Sequence, residues 1–533
     1  MALLPPEQLH AMAVSFGDQI AYQVVGGTSI TFDQWDAGAS RVARGLIDGG
    51  VVPGDTVAIH LEPANALRWV MIYAGIHRAG AVAVPFNPQL SRPEVTRMVT
   101  HCGAAAAFTE EALVSRYESE GPPLVVVVPA PDADPDPAGH ADVVGTGRPT
   151  GSAGAVVRWA DLVDKDAGYL QVPRQPGDLA EILYTSGTTG HPKAVAVRHE
   201  NASMVPFGEP AWTGGGWMHA SPPYTFAGLS FVYTPMKLGL RVIFQPRFDA
   251  DQWLETVERE RPVAVFLVPA MAHLLLEHPR FDVADLGSVN ICSVGSAPLA
   301  PFVLERLQER MPHALVSNNY GMTEAGSVYC LMPPGEAVKR PGSVGKPSPP
   351  AEILCVGSDG KSVPAGEVGE VRMRIPGRPR EYFGDPEATS RTWVDGWLVT
   401  GDLGRVDQDG YLYIVGRSKD VIIRGGNNIH PTDVEHAIES HPAIREVAVV
   451  GVPHPVLGED VVAFVALRPG AKASDEDLRT YTLEQLAKYK VPRQWYFVDE
   501  LPRNATGKVL KDQLRLQLSE SAEGGPGHRP EEQ

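Results

Sequence analysis

One ten-residue run, residues 184–193 (Tyr-Thr-Ser-Gly-Thr-Thr-Gly-His-Pro-Lys), combines hydroxyl groups, glycines and a terminal lysine. Apolar, strand-like segments precede it at residues 179–183 and follow it at residues 194–197. Glycines let a backbone bring its N–H groups close to an anion, and hydroxyls and a lysine can bind phosphate oxygens. The pattern predicts a triphosphate-binding loop, although it is not the GxxxxGKS/T loop that opens a helix. The residues expected to bind are Thr185, Ser186, Gly187, Thr188, Thr189, Gly190 and Lys193.

Four further motifs follow along the chain and carry residue types that nucleotide chemistry needs. They are Tyr320-Gly-Met-Thr-Glu324, Thr400-Gly-Asp402, Gly416-Arg-Ser-Lys-Asp420 and Pro502-Arg-Asn-Ala-Thr-Gly-Lys508. In this order the five elements closely resemble those of the adenylate-forming superfamily, which includes acyl-CoA synthetases, aryl-CoA ligases, beetle luciferases and peptide-synthetase adenylation domains. The resemblance covers roughly residues 15–515 and is closest to the freestanding acid–CoA ligases.

The resemblance implies that the chain binds ATP as a substrate. Residues 185–193 match the loop that embraces the β- and γ-phosphates. A second segment matches the one whose backbone lines the adenine and acid pockets, and it consists of Gly295, Ser296, Ala297 and Pro298. The motif at residues 320–324 matches the one that contacts adenine and the α-phosphate, through Tyr320, Gly321, Met322 and Thr323.

The resemblance also assigns individual roles. The Tyr320 ring is suited to stacking on a purine, and Glu324 offers the hard oxygen that Mg²⁺ binds alongside substrate phosphates. Asp402 corresponds to the carboxylate that accepts from both ribose hydroxyls, with Arg417 beside the ribose or phosphate. Lys508 corresponds to the lysine that bridges the acid's carboxylate and the α-phosphoryl oxygen. The implied catalytic residues are Lys508, Glu324 and Thr185.

The segment expected to shape the acid pocket departs from the family's pattern. Many members have Pro-x-x-His-x-x-Gly, whereas this chain has Pro-Pro-Tyr-Thr-Phe-Ala-Gly at residues 222–228, so Thr225 replaces the gating ring. We expect a wider or more polar tunnel there. The predicted pocket residues are Tyr224, Thr225, Phe226, Gly228 and Phe231.

Residues 226–233 contain no acidic side chain that could pair with an α-ammonium group, and burying an unpaired charge is costly. An α-amino acid is therefore disfavoured. We expect an aryl, aryl-alkenyl or medium-to-long fatty acyl acid, activated to an acyl-adenylate.

CoA is the expected acceptor on family grounds, because Gly425 and Gly426 could let a pantetheine chain pass close to the backbone. Two alternatives stay open. The activated group could pass to a carrier protein, an amine or a small nucleophile such as nitrite, or the chain could be a degenerate nucleotide-binding protein. Four retained residues argue against degeneracy, namely Lys193, Glu324, Asp402 and Lys508.

The elements that position these motifs alternate between helical and strand patterns through the first 400 residues, which favours an α/β fold. Residues 351–375 carry glycine-rich turns and short alternating strands, which predicts a β-rich subdomain. We expect a large domain of layered α/β subdomains at residues 1–418 and a small, mobile α+β domain at residues 419–518. A disordered tail is expected at residues 519–533. Lys419 is the predicted hinge.

Composition limits the partners. The chain has 533 residues and a net charge of −18, from 46 basic and 64 acidic side chains, which argues against nucleic acid as the main partner. Four widely spaced cysteines (Cys102, Cys292, Cys330 and Cys355) predict reduced thiols. Neither a secretion signal nor a long apolar run is evident, so we expect a cytoplasmic enzyme. A homodimer is compatible with the sequence, which does not determine the oligomeric state.

Overall fold

A computed structural model describes residues 4–117, 121–131, 155–163, 165–185, 193–202, 208–326, 330–375, 377–504 and 507–523. The residues Ser186, Gly187, Thr188, Thr189 and Gly190 of the predicted phosphate loop therefore lie outside the described residues.

The helices are α1 (Pro5–Phe16), α2 (Phe32–Asp48), α3 (Ala66–Arg78), α4 (Arg92–Cys102), α5 (Trp159–Val163), α6 (Phe226–Lys237), α7 (Ala250–Glu260), α8 (Pro269–Glu277), α9 (Pro301–Arg310), α10 (Pro386–Thr392), α11 (Pro431–Glu439), α12 (Asp475–Gln485) and α13 (Lys511–Glu523). The strands are β1 (Ile20–Val24), β2 (Ser29–Thr31), β3 (Thr56–His60), β4 (Val82–Pro85), β5 (Ala106–Glu110), β6 (Leu124–Val128), β7 (Ala155–Arg158), β8 (Leu179–Thr185), β9 (Lys193–Arg198), β10 (Gly216–His219), β11 (Arg241–Phe244), β12 (Ala264–Leu267), β13 (Ile291–Gly295), β14 (Leu315–Asn319), β15 (Cys330–Leu331), β16 (Ser343–Pro347), β17 (Glu352–Val356), β18 (Gly369–Arg374), β19 (Trp393–Val394), β20 (Trp397–Val406), β21 (Leu412–Arg417), β22 (Ile422–Arg424), β23 (Asn427–Ile429), β24 (Ile444–His454), β25 (Gly458–Leu467) and β26 (Gln494–Phe497).

Two mainly parallel sheets form the first part of the chain. One has the order β14-β13-β12-β10-β11-β1-β2 and the other β7-β6-β5-β3-β4-β8-β9, each with an antiparallel strand at one edge. Strands of such sheets are covered on both faces, so they are apolar runs, as in the fully buried β12. Helices α2 and α3 share one hydrophobic core with both sheets; for example, Trp35 is fully buried and donates its indole N–H to the Val70 carbonyl at 2.9 Å. This is the layered α/β architecture that the sequence predicted.

Local sequence explains where individual elements begin and end. Helix α2 starts at a capping box, in which the Thr31 hydroxyl accepts from the Gln34 N–H at 3.2 Å and the Gln34 side chain accepts from the Thr31 N–H at 2.9 Å. It ends at Gly49 and Gly50, and the latter has a φ of +91° that favours glycine.

The later elements form two further sheets. An antiparallel sheet has the order β15-β16-β21-β20-β18-β17, which agrees with the predicted β-rich subdomain. The small unit has a sheet of order β23-β22-β25-β24, with β26 added parallel to β25, and helices α11, α12 and α13. The predicted α+β character of this unit is observed. The predicted tail begins too early, because α13 continues to Glu523, and residues 524–533 lie outside the described part.

All four cysteines are buried free thiols, as predicted. In the part of the chain that the structure describes, no helix combines the length and apolar character that crossing a membrane requires.

Candidate active site

The carboxyl ends of parallel strands β13 and β14 meet at one edge of the sheet, where Gly295 lies beside Asn319. Open α/β sheets bind ligands at such edges. Space at Gly295 is tight, because an added Cβ would lie 3.2 Å from the Asn319 carbonyl oxygen. The next residue, Ser296, has a φ of +77°, a left-handed conformation that is strained for serine and is typical of functional sites. Ala297 and Pro298 complete the turn before α9.

Asp402 is held between two residues that the sequence analysis predicted as nucleotide contacts. Its Oδ2 accepts from the Tyr320 hydroxyl at 2.6 Å, and its Oδ1 accepts from the Arg417 Nε at 3.0 Å. Arg417 faces Asp402 directly because β20 and β21 pair these two residues. Burial, reinforced by the Asp402 charge, raises the pKa of Tyr320 well above its usual value, so its hydroxyl stays a donor. Each carboxylate oxygen keeps a second lone pair for a ligand hydroxyl.

Glu324 is oriented by a residue that the sequence did not reveal. The Tyr382 hydroxyl donates to Glu324 Oε1 at 2.7 Å, and the Lys193 Nζ lies 4.7 Å from the centre of the Tyr382 ring. Tyr382 reaches this position because its segment pairs with β9 through Val195. Thr185 and Lys193 face each other at the base of the phosphate loop, where β8 pairs with β9. The structure therefore places Lys193 and Glu324 beside the same residue, Tyr382.

A second residue missed by the sequence analysis is Arg380. The whole residue is only 5% exposed. Its guanidinium donates to the carbonyls of Thr323 at 3.0 Å and Asn201 at 2.5 Å. It also packs against Gly326, where an added Cβ would approach its guanidinium to 2.8 Å. The local run Gly-Arg-Pro-Arg-Glu is typical of an exposed turn, and nothing in it indicates this role.

Lys508 comes from the small unit and lies against the same edge. An added Cβ on its neighbour Gly507 would be 3.3 Å from Val268, which follows β12. Burial, and next the charge of Arg417, lower the pKa of Lys508, whereas Asp402 and Asp420 act in the opposite direction. The arrangement places the half-buried Lys508 within electrostatic range of the Asp402–Arg417 pair. An ion pair between Glu277 and Arg468, 2.7 Å apart, joins the two units elsewhere.

The predicted hinge and acceptor residues lie on short turns. Lys419 is in a single 3₁₀ turn, Ser418–Asp420, directly after Arg417, and its Nζ is 3.6 Å from an Asp512 carboxylate oxygen. Gly425 and Gly426 have φ values of +57° and +81° and form the two-residue turn of the β22–β23 hairpin. That turn requires positive φ at both positions, so hairpin geometry alone explains these glycines.

The predicted acid-pocket residues form two groups, the aromatic residues and the pair Thr225 and Gly228 at the start of α6. Phe226 lies 5.4 Å from the Arg380 guanidinium, and Phe231 packs against Trp217, His219 and Phe266. Burial and the Glu62 charge raise the pKa of the half-buried Tyr224 to about 12.

Thr225 instead begins α6. Its hydroxyl accepts from the Gly228 N–H at 3.1 Å and donates to the Pro222 carbonyl at 2.7 Å. Gly228 has no room for a side chain, because an added Cβ would lie 2.0 Å from the same carbonyl oxygen. Thr225 thus has a local structural role at the start of α6, and the wider or more polar tunnel stays a prediction.

Because Thr225 is the N-cap of α6, Thr225→Val should destabilise the protein by about 1 kcal/mol. Thr225→Ser keeps the hydroxyl and serves as the matched control. Thermal unfolding of both variants measures the difference. Equal melting temperatures for the two would contradict the capping role.

Comparison with known proteins places the chain in a family. Residues 9–383 match the model of the AMP-binding enzymes, and residues 433–508 match the model of the AMP-binding enzyme C-terminal domain. The chain belongs to this family of adenylate-forming ligases, as its motifs predicted.

Two relatives and one solved structure show which members of the family this chain resembles. A feruloyl-CoA synthase from Amycolatopsis sp is 33% identical, covering 92% of this chain and 94% of the relative. The fatty acid–[acyl-carrier-protein] ligase ScoC from Streptomyces coeruleorubidus is 31% identical, covering 92% of each chain. The crystal structure of the anthranilate CoA ligase AuaEII with anthranoyl-AMP superposes with a TM-score of 0.84 at 26% identity, covering 98% of each chain. The fold, with a large N-terminal and a smaller C-terminal domain, is that of acid–CoA ligases.

Proposed function

We propose that the protein activates a carboxylic acid with ATP, forming an acyl-adenylate and pyrophosphate, and then transfers the acyl group to the thiol of CoA with release of AMP. The observation that carries this proposal is the approach of Lys508, from the small domain, to the edge where Asp402 is hydrogen-bonded to Tyr320 and Arg417. These three residues are called the Asp402 set. The similarity to CoA ligases supports the same reading.

The Asp402 set is suited to a ribose. One lone pair on each carboxylate oxygen is used by Tyr320 or Arg417, and the other can accept from a 2′- or 3′-hydroxyl. The Tyr320 ring, fixed by its bond to Asp402, offers its face to the purine. Thr185 and Lys193, at the base of the phosphate loop, bind the β- and γ-phosphates, and Thr323 binds the α-phosphate.

Glu324 fits a magnesium ion. Among the described residues, no group of three metal-binding side chains exists, but Mg²⁺ in nucleotide sites needs only one or two carboxylates besides phosphate oxygens. Glu324 meets this requirement because Tyr382 fixes one of its oxygens and leaves the other available. Bound there, the ion would neutralise phosphate charge.

Lys508 acts on the reacting atoms. When the acid's carboxylate attacks the α-phosphorus and pyrophosphate leaves, negative charge develops on the α-phosphoryl oxygens. A preorganised cation in a site that excludes water stabilises that charge. Lys508 is half-buried, and the partial desolvation that lowers its pKa brings the amine toward this condition. Movement of the small domain about Lys419 then withdraws the lysine and admits the thiol, past the turn at Gly425 and Gly426.

A carrier-protein thiol is the second candidate for the acceptor. One specific observation favours it, namely the similarity to a fatty acid–[acyl-carrier-protein] ligase. Amines and nitrite remain further alternatives.

The deciding experiment screens aryl and alkyl acids for AMP release, with CoA, with a phosphopantetheinylated carrier protein, or with neither. Products are identified by mass. A thioester of CoA supports the proposal. Acid-dependent AMP release without any CoA thioester would transfer the assignment to another acceptor, and absence of acid-dependent pyrophosphate exchange would refute the adenylating function.

Tyr382→Phe tests the orientation of Glu324. The loss of a hydrogen bond to a charged group should raise the Mg²⁺ concentration needed for half-maximal adenylation by about tenfold. A magnesium titration of acid-dependent pyrophosphate release at constant ATP measures this. Tyr413→Phe is the matched control, because its hydroxyl lies 3.3 Å from the Asp407 carboxylate outside the site. An unchanged magnesium dependence would show that Tyr382 does not position the metal ligand.

A further inference from the structure

An aromatic cluster encloses Phe231 on the face of the sheet that α6 covers. Trp217 and His219 are two positions apart on β10, so their side chains leave the same face of the sheet. The Phe231 ring centre is 5.4 Å from that of Trp217 and 4.6 Å from that of His219. Phe266 on β12 completes the cluster, 5.0 Å from Phe231.

The cluster borders the reacting groups. A Cβ added to Gly295 would lie 3.5 Å from Phe266, so the cluster begins directly behind the segment proposed to line the adenine and acid pockets. Val268 packs in the same small apolar cluster as Phe231 and Phe266. Val268 also lies close to Gly507, the residue before Lys508. An acid whose carboxylate lies at Lys508 would therefore extend its apolar end toward these rings.

Two buried donors in the cluster are unused. The Trp217 Nε1 is inaccessible to solvent and meets no hydrogen-bond acceptor among the described residues. The His219 Nδ1 accepts from the Ser221 N–H at 3.3 Å, so the proton of the neutral ring lies on Nε2. Nε2 is likewise buried and unpaired within the described part of the chain. Burial lowers the pKa of His219 to about 3, which keeps the ring neutral.

Buried donors without acceptors are costly, and a bound ligand that supplies an acceptor removes the cost. Because Trp217 and His219 both pack against the Phe231 ring, an acceptor at the end of an aryl group lying against that ring would be near one donor or the other. Both donors are neutral, so a second carboxylate on the acid would be buried without a cation. An uncharged oxygen is the acceptor that fits.

We infer that the acid is an aryl or aryl-alkenyl acid whose ring ends against Phe231 and Phe266 and bears a hydroxyl, methoxy or carbonyl oxygen that accepts from Trp217 Nε1 or His219 Nε2. This inference rests on the proposed adenylating function and defines its substrate class. A saturated fatty acid would leave both donors buried and unpaired, so it is a poorer substrate.

The test compares acids in matched pairs, benzoate with 4-hydroxybenzoate and cinnamate with 4-methoxycinnamate, together with decanoate. The measured quantity is kcat/KM for acid-dependent pyrophosphate release. We expect the wild-type enzyme to favour the oxygen-bearing member of at least one pair by tenfold or more, about the value of one good hydrogen bond in a buried pocket. Decanoate should be used less well than that acid.

Trp217→Phe keeps an aromatic ring and removes only the N–H donor and one ring of the indole. It should reduce the preference within the pair by about tenfold, while the KM for ATP stays unchanged. Trp212→Phe is the matched control, because the Trp212 ring packs edge-on against Phe32 in a different hydrophobic cluster from that of Trp217. His219→Phe tests the second donor in the same assay.

The outcomes separate the inference from the proposed function. If no acid releases pyrophosphate, the adenylating function itself fails. If acids are activated but the wild-type enzyme does not distinguish the members of either pair, or prefers decanoate, the inference is overturned while the function stands. An equal loss by Trp217→Phe on both members of a pair would also overturn it, because that result assigns Trp217 to packing alone.

Discussion

Lys508→Ala is expected to lower the rate of acyl-adenylate formation by about 10²–10³-fold or more, the usual effect of removing one preorganised charge from a reaction centre. The loop that carries Lys508 does not depend on its side chain. The Lys508 N–H donates to the Asn504 side chain at 2.9 Å, and the Asn504 N–H donates to the Lys508 carbonyl at 2.9 Å. Alanine therefore removes the amine and leaves the loop in place.

The two half-reactions distinguish this role from a general defect. Adenylation is measured by acid-dependent exchange of pyrophosphate into ATP, and thioester formation is measured from preformed acyl-adenylate and CoA. The second reaction should survive, because Lys508 stabilises charge only in the first. Lys490→Ala, which breaks an ion pair with Asp433 within the small domain, is the control. Equal losses in both half-reactions would contradict the assignment.

Lys419→Pro is expected to reduce overall turnover by about 10²-fold or more while adenylation continues. Even a small misplacement of the reacting groups of the second half-reaction has an effect of that size. Proline fixes φ near −65°, which lies within the usual range of 3₁₀ turns such as Ser418–Asp420. The variant should hold the small domain in the observed orientation, in which Lys508 lies beside Asp402 and Glu277 pairs with Arg468. A few dihedral angles in such a turn can absorb a large domain rotation.

Lys419→Ala separates loss of the side chain from loss of rotation. The Lys419–Asp512 contact is 3.6 Å long, and both side chains are well exposed, so removing it should change little. Single-turnover assays of adenylation and of thioester formation, made on both variants, provide the comparison. If Lys419→Pro turns over at the wild-type rate, the hinge lies elsewhere.

Short contiguous motifs were the most predictable part of this protein. The apolar runs around residues 184–193 predicted β8 and β9, and the motifs at residues 320–324, 402, 417 and 508 identified a family that the comparisons confirm. The α+β pattern predicted for the small domain is likewise observed. These predictions succeed because loops, caps and strand patterns depend on neighbours within a few residues.

Contacts between distant segments were less predictable. Tyr382 and Arg380 lie about sixty residues after Glu324 and Thr323, and nothing in their local sequence indicates that they bond to them. Thr225 shows the converse, because its place in a family motif suggested a pocket role, whereas the fold uses its hydroxyl to begin α6. Likewise, the turn at Gly425 and Gly426 is explained by the β22–β23 hairpin before any acceptor is considered.

The sequence by itself determined the class of chemistry, since the hydroxyl- and glycine-rich loop, the carboxylates and the late lysine each carry their reactivity in their side chains. Only the tertiary structure decided how they combine: which tyrosine orients Glu324, what pairs with Asp402, and which donors remain unused beside Phe231. The reason is physical. Residue types specify what a group can donate, accept or carry as charge, but hydrogen-bond partners and burial depend on segments that only folding brings together.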